Sequence, residues 1–124
     1  MALPAAIRMT VALHLDDDPV PGFPIERRVM GTMLEHFDFV READGVGVLT
    51  SEAVPVDFLP ANTMLFLTDA PIRLAVNGPV QDGLNDLGLR AGAALLFALA
   101  EISTLATTNA TVTPAQITVL TLKT

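Results

Sequence analysis

The residues that could do chemistry in this sequence are few and far apart. His14 and His36 are the only histidines, and neither stands in a spacing such as H-x-x-x-H that would gather ligands for zinc. Both read as ordinary strand residues. Ser51 and Ser103 are the only serines, and neither lies in a G-x-S-x-G elbow, so a serine hydrolase has no starting point. Glu26, Glu35, Glu42, Glu52 and Glu101 are scattered, and no two of them stand out as the paired carboxylates of a glycosidase. Three adjacent carboxylates, Asp16-Asp17-Asp18, cannot all face one ion, and the stretch lacks the alternation around a central glycine of an EF-hand loop. It reads as a solvated acidic turn, and so does the pair Asp82 and Asp86.

With no cysteine there is no disulfide, no thiolate ligand and no cysteine nucleophile. No phosphate-binding glycine loop occurs. Asn109-Ala110-Thr111 fits the glycosylation acceptor pattern, but the match is short and is taken as chance. Tryptophan and tyrosine, the usual stacking surfaces for sugars, are both missing. The expectation is a chain with no catalytic centre, no cofactor and no metal, hence not an enzyme.

The elements that would position such residues read as strands. Ile7, Met9, Val11, Leu13 and Leu15 alternate with Arg8, Thr10, Ala12 and His14, the period of a strand with one buried face. Asp16-Asp17-Asp18-Pro19 ends it, and Pro19 to Pro24 holds too many prolines to join a sheet interior. From Ile25 to Val40 two periods compete. Ile25, Val29, Met33 and Phe37 make a helical stripe, whereas Val29, Gly31, Met33, Glu35, Phe37 and Phe39 alternate. Gly31 weakens a helix by about 1 kcal/mol, and strand is the chosen reading.

Ala43-Asp44-Gly45 carries an Asp-Gly pair that favours a hairpin. Short strands are expected around Val46 to Phe58, over Met64 to Leu67, and over Ile72 to Val76, where Pro71 and Asn77-Gly78 supply turns. Gly78 to Gly88, with three glycines and two aspartates, reads as an exposed loop. Ala93 to Ala100 is apolar throughout: its alanines favour helix, and its length equally fits a strand buried on both faces. The threonine-rich end closes with Ile117, Val119, Leu120 and Leu122 as strand. Turn signals every 8 to 12 residues are those of a sandwich or barrel. The expected fold is one all-β domain over residues 1–124, an antiparallel β-sandwich of jelly-roll type, with a short N-terminal arm over residues 1–6.

Composition constrains partners. Seven basic residues against fourteen acidic ones give a net charge of −7, and lysine occurs once, at Lys123. Such a chain repels phosphate backbones, so direct nucleic-acid binding is not expected. The sequence is 51% hydrophobic and only 17% charged, against roughly 25% charged in an average domain. That leaves little charge to spread over a free surface and implies cover by a partner. Met1 to Arg8 lacks the basic start and apolar run of a secretory signal. Ala91 to Ala100 is shorter than the roughly 20 residues that span a bilayer. Cytoplasmic synthesis and no membrane partner are expected.

The stretch Leu59-Pro60-Ala61-Asn62-Thr63-Met64-Leu65-Phe66-Leu67-Thr68-Asp69-Ala70-Pro71-Ile72-Arg73-Leu74, the stretch Leu89-Arg90-Ala91-Gly92-Ala93-Ala94-Leu95-Leu96-Phe97 and the threonine-rich end together resemble small all-β virion proteins of tailed bacteriophages. In those proteins a strand ending in a Thr-Asp or Asn-Asp turn leads into a second strand, a long loop brings in a glycine-marked apolar strand, and two final strands close a sandwich. The resemblance covers the last two thirds of the chain; the first quarter departs from it. It implies a capsid decoration, cement or minor head protein, a homo-oligomer in contact with other virion proteins, located in the virion. It also implies strand for Ala93 to Ala100. The contact residues expected on this reading are Leu3 and Pro4 in the arm, Phe23 in the proline loop, and Val80, Leu84 and Leu87 in the long loop. The competing reading is a tail- or fibre-associated β-sandwich that binds a glycan or small molecule in an apolar pocket.

Overall fold

The computed structural model describes residues 4–54, 60–78 and 86–123, the side chains of Pro4 and Met33 excepted. These residues form strands and turns, with no helix among them. The strands are β1 (Pro4–Val11), β2 (His14–Leu15), β3 (Asp18–Pro19), β4 (Ile25–Arg41), β5 (Glu52–Ala53), β6 (Ala61–Thr68), β7 (Ile72–Val76), β8 (Asp86–Leu89), β9 (Ala94–Ile102), β10 (Leu105–Thr108) and β11 (Ala115–Lys123). All pairings are antiparallel. Five strands form one sheet in the order β1-β4-β11-β6-β9, four form a second in the order β5-β10-β7-β8, and β2 and β3 make a ribbon of their own.

Alternation decides what goes inside. In β6 the side chains of Met64 and Phe66 are fully buried, and in β11 those of Ile117 and Val119 are too. From the smaller sheet Ile72, Leu74 and Leu105 meet them, with Phe39, Leu95 and Phe97 packed against the same cluster. One core therefore lies between the two sheets, as in a sandwich. At about 25 cal/mol per Å² of apolar area, each large core side chain contributes about 2–3 kcal/mol on burial.

Strand β4 is 17 residues long because it serves two neighbours in turn. Its first half, Ile25 to Thr32, pairs with β1, and its second half, Thr32 to Arg41, pairs with β11. The transfer happens at Gly31 and Thr32, where β11 bulges between Thr121 and Lys123. A Cβ built on Gly31 would stand 2.6 Å from the carbonyl oxygen of Lys123, closer than atoms of that kind approach. Glycine is what lets the end of β11 cross so near.

Several expectations change in detail. The strand expected over Ile7 to Leu15 is β1 only as far as Val11, and the chain then folds into the small β2–β3 hairpin. Its two loop residues, Asp16 and Asp17, have φ of 55° and 69°, the left-handed pair of a tight hairpin turn that aspartate tolerates. The alternating reading of 25–40 is right and the helical stripe is not, since Val29, Phe37 and Phe39 share the less exposed face of a strand. Pro4, Ala5 and Ala6 belong to β1 and not to an arm; Leu3 lies outside the described residues.

No hairpin joins β4 to its successor at Ala43-Asp44-Gly45. The chain crosses there to the other sheet, because β5 pairs with β10. Asp86, Leu87 and Gly88 are strand β8, held against β7 by the pairs Ala75↔Asp86, Leu74↔Leu87 and Arg73↔Gly88. Backbone pairing along an existing edge overrides the weak propensity of Gly88 and Asp86. Val80 and Leu84 lie outside the described residues. Ala94 to Ile102 is strand despite its alanines, yet it is an edge strand with several exposed side chains and not one buried on both faces.

Candidate interaction surface

The part of the molecule least committed to its own core is the β1–β4 ribbon. Residues 25–31 of β4 pair with β1 along one edge, and no strand among the described residues lies along the other. At roughly 3.3 Å per residue, the two strands run on for about 23 Å past the last paired residue of β11, and the 12–24 connection extends them further. A two-stranded ribbon in water is marginal by itself. Val11 and Met30 on it are 47% and 53% exposed, and Leu13 and Leu15 in the connection beyond it 43% and 67%, while Ile7 is the ribbon's one buried side chain among the described residues.

Its charge differs from that of the rest of the chain. Arg8, Arg27 and Arg28 are three of the seven basic residues, and with Glu26 they give the paired strands +2 on a chain of −7. Arg8 stands directly opposite Arg28, a like-charged pair that weakens the ribbon. The Arg8 Nε–Glu26 Oε1 contact at 3.1 Å relieves it, but both groups are more than half exposed, so the pair contributes well under 1 kcal/mol.

The outer face of the larger sheet, turned away from the core, is the second open surface. Cross-strand register places Leu120 beside His36 and Leu65, and Leu65 beside Leu96; Thr118 stands beside Asp38 and Leu67. Leu65, Leu67, Leu96 and Leu120 are half-buried, and Leu34 and Val40 are 45% and 49% exposed. His36 and Asp38 lie on this face, Nε2 to Oδ2 at 3.1 Å. The Thr118 hydroxyl donates to Asp38 Oδ1 at 2.6 Å. That hydrogen bond, with a smaller contribution from the charge of His36, holds the Asp38 carboxyl below the ordinary aspartate value of 3.8. No group of three or more ligating side chains that could hold a metal ion occurs among the described residues.

At the far end of β4 lies a buried polar network that the sequence did not announce. Arg41 is 4% exposed. Its Nη2 donates to Asp44 Oδ2 at 2.7 Å and to the Thr50 carbonyl at 2.9 Å. Its Nη1 donates to Asp44 Oδ1 at 3.3 Å and to the Glu42 carbonyl at 3.0 Å. Asn109, fully buried, donates to the carbonyls of Arg41 and Thr113 and accepts from the Thr111 hydroxyl. Buried charge and amide are thus paired, as burial demands. The network ties the crossing segment 42–52 to the end of β4. Asn109 is accordingly a structural amide, its side chain buried and engaged within the fold.

Of the expected contact residues, Pro4 is in β1, Phe23 is half-buried in the connection that precedes β4, and Leu87 is 50% exposed on the edge strand β8. Leu3, Val80 and Leu84 fall outside the described residues. The structure does not gather Phe23 and Leu87 into one site. Two open hollows, of about 330 and 250 Å³, are lined by Pro60, Asn62, Glu101 and Lys123 and by Ile72, Arg73, Leu89 and Thr108 respectively. No aromatic ring is among the described residues lining either.

No protein-family model and no curated protein matches this chain.

No helix among the described residues is long and apolar enough to cross a membrane. Among the described residues the surface offers a basic ribbon, an edge of β4 along which no strand lies over residues 25–31, and a sheet face with half-buried and exposed apolar side chains.

Proposed function

We propose that this chain is a non-enzymatic structural subunit of a larger particle, a capsid decoration, cement or minor head protein of a tailed bacteriophage that stabilises the shell through contacts with its neighbours. The observation that carries the proposal is the β1–β4 ribbon, which runs on beyond β11 with Val11 and Met30 exposed, and with Leu13 and Leu15 exposed in the connection at its end. An isolated ribbon with uncovered apolar side chains is weak alone and gains stability by lying against another surface. In a repeating shell such contacts add through multivalency, so no single one needs to be tight.

The order of elements supports the same reading. β6 ends at Thr68, beside Asp69, whose Oδ1 accepts from the backbone N–H of Gln116 at 2.7 Å, and the chain turns into β7. Gly92, with φ of 79°, precedes the apolar β9, and β10 and β11 follow. The test is sedimentation of the purified chain with particles that lack it. Saturable binding at a stoichiometry set by particle symmetry is expected. A chain that stays in the supernatant at every concentration refutes the proposal and brings forward the glycan- or small-molecule-binding module, with the two hollows as its sites.

A further inference from the structure

We infer that the partner of the ribbon is a second copy of this chain: residues 25–29 of β4 in the two copies pair with each other, antiparallel, about a two-fold axis at Arg27. This deepens the structural-subunit reading and rests on it. The edge concerned is the one turned away from β1, along which no strand among the described residues lies over residues 25–31. β11 reaches that edge only at Thr32. The Glu26 carbonyl accepts from Arg27 Nη1 at 3.3 Å, a long contact of an exposed side chain that an incoming strand displaces. A ribbon of two strands is marginal in water. Adding a second copy at this edge turns it into a sheet of four, each β1 outermost and the two β4 strands at the centre, in the manner of strand addition.

Register follows from side-chain chemistry. Antiparallel residues that stand opposite each other share a face. With Arg27 on the axis, Glu26 falls opposite the partner's Arg28 and Ile25 opposite the partner's Val29, each pair occurring twice. Arg8 and Arg28 stand opposite each other within one chain, and the nearby Glu26 contacts Arg8 at 3.1 Å. The second copy brings a carboxylate to Arg28, which has no ion pair among the described residues. On the other face Ile25 and Val29, both half-buried, extend the apolar row of Ile7 and Met9 across the axis. An axis at Glu26 would set two carboxylates together and Ile25 against Arg27; an axis at Arg28 would set two guanidinium groups together and Glu26 against Met30. In the favoured register the one opposing pair is Arg27 with its own copy, which weakens the contact and keeps it reversible.

Charge at the two ends points the same way. Because the ribbons run in opposite directions, the loop end of each, with Asp16-Asp17-Asp18, is directed at the body of the other. The residue at that place is Lys123, the chain's one lysine, which ends β11 beside Thr32. A cation and three carboxylates of different copies are thus brought to the same end of the contact, twice over. Such an isologous contact closes at a pair, and the pair presents two cores on either side of one shared ribbon sheet.

The absence of cysteine makes a direct test available. Arg27→Cys and Thr10→Cys are prepared as separate single variants and held under mild oxidation. On the axis, opposed residues have Cα atoms about 4.5–5.5 Å apart, within reach of a disulfide. Thr10, on β1 opposite Glu26, is at least three strand spacings, about 14 Å, from its own copy, too far for one. The expected result is a disulfide-linked dimer of Arg27→Cys in several-fold excess over that of Thr10→Cys, diminished in high salt. In the Arg27→Cys background, Glu26→Arg lowers the yield several-fold and the swap Glu26→Arg/Arg28→Glu restores it, since the swap exchanges the charges without removing the pairs. Equal yields from the two single variants, or none from Arg27→Cys, overturn the inference. A folded swap variant that does not recover the link overturns the register. If the cross-link fails while the chain still sediments with particles, the structural-subunit reading stands and only the self-pairing falls. If both fail, both fall.

Discussion

Replacing Arg41 tests whether the buried network at the end of β4 holds the two sheets' connection in place. Arg41→Met removes a guanidinium that is 4% exposed and makes two hydrogen bonds to Asp44 and two to the carbonyls of Glu42 and Thr50. The Asp44 side chain, 20% exposed, then keeps its charge with no counter-ion, and breaking a buried pair from one side costs about 3–5 kcal/mol. The contact of Arg41 with Glu52 adds little, because the Glu52 side chain is 65% exposed. For a domain of this size the loss lowers Tm by roughly 10–20 °C. In the double variant Arg41→Met/Asp44→Leu no orphaned charge remains, so part of the loss returns, with a coupling of about 1–3 kcal/mol. Urea unfolding of the four proteins at pH 7 measures it. An Arg41→Met protein within about 1 kcal/mol of the parent, or a cycle that is additive, refutes the argument that this ion pair holds the crossing segment.

Gly31→Val places a Cβ 2.6 Å from the Lys123 carbonyl oxygen and 3.3 Å from Leu122 Cβ; it destabilises by about 1–3 kcal/mol and broadens the NMR signals of residues 121–123, whereas Gly88→Val, with open space at its Cβ, does neither. Asp38 has its folded pKa depressed below 3.8, so the interaction is fully present above that value and is lost as pH falls through the lower folded one. Thr118→Val, which removes the largest cause, moves the carboxyl titration of Asp38 followed by NMR upward toward 3.8. An unchanged titration would show that the hydroxyl is not responsible.

Much of the fold was legible because alternation reports directly which side of a strand is buried. Ile72 and Leu74 were readable in this way, whereas the apolar run Met64 to Leu67 and the β-rich end around Ile117 and Val119 announced strands without saying which side chains face the core. The contest over Ile25 to Val40 was decided by the same signal, even though Ile25, Val29, Met33 and Phe37 also fit a helical spacing; Gly31 now has a steric reason to be there. Strand order was not legible, since nothing local distinguishes a neighbour 20 residues away from one 80 residues away. That is why β4 could be read as a strand but not as one that exchanges partners midway.

The candidate surface was legible only in composition. Low charge and high apolar content called for a covered face, but the loops chosen for it were guesses from glycine and proline. The residues of the proposed surface, Arg8, Arg27, Met30 and Val11, sit in regular strands and look like any half-exposed strand. Arg41 and Asn109 carry no motif, because a buried polar network is assembled from segments that meet only in the fold.

The account's central claim is that this chain works by assembling, through a ribbon that its own core leaves uncovered. The most direct measurement is its mass in solution by light scattering, over a range of concentration and salt and then with particles that lack it. The account predicts multiples of 13.1 kDa that fall apart as salt rises, and saturable uptake onto particles. A 13.1 kDa monomer at all concentrations, with no affinity for particles, would contradict it.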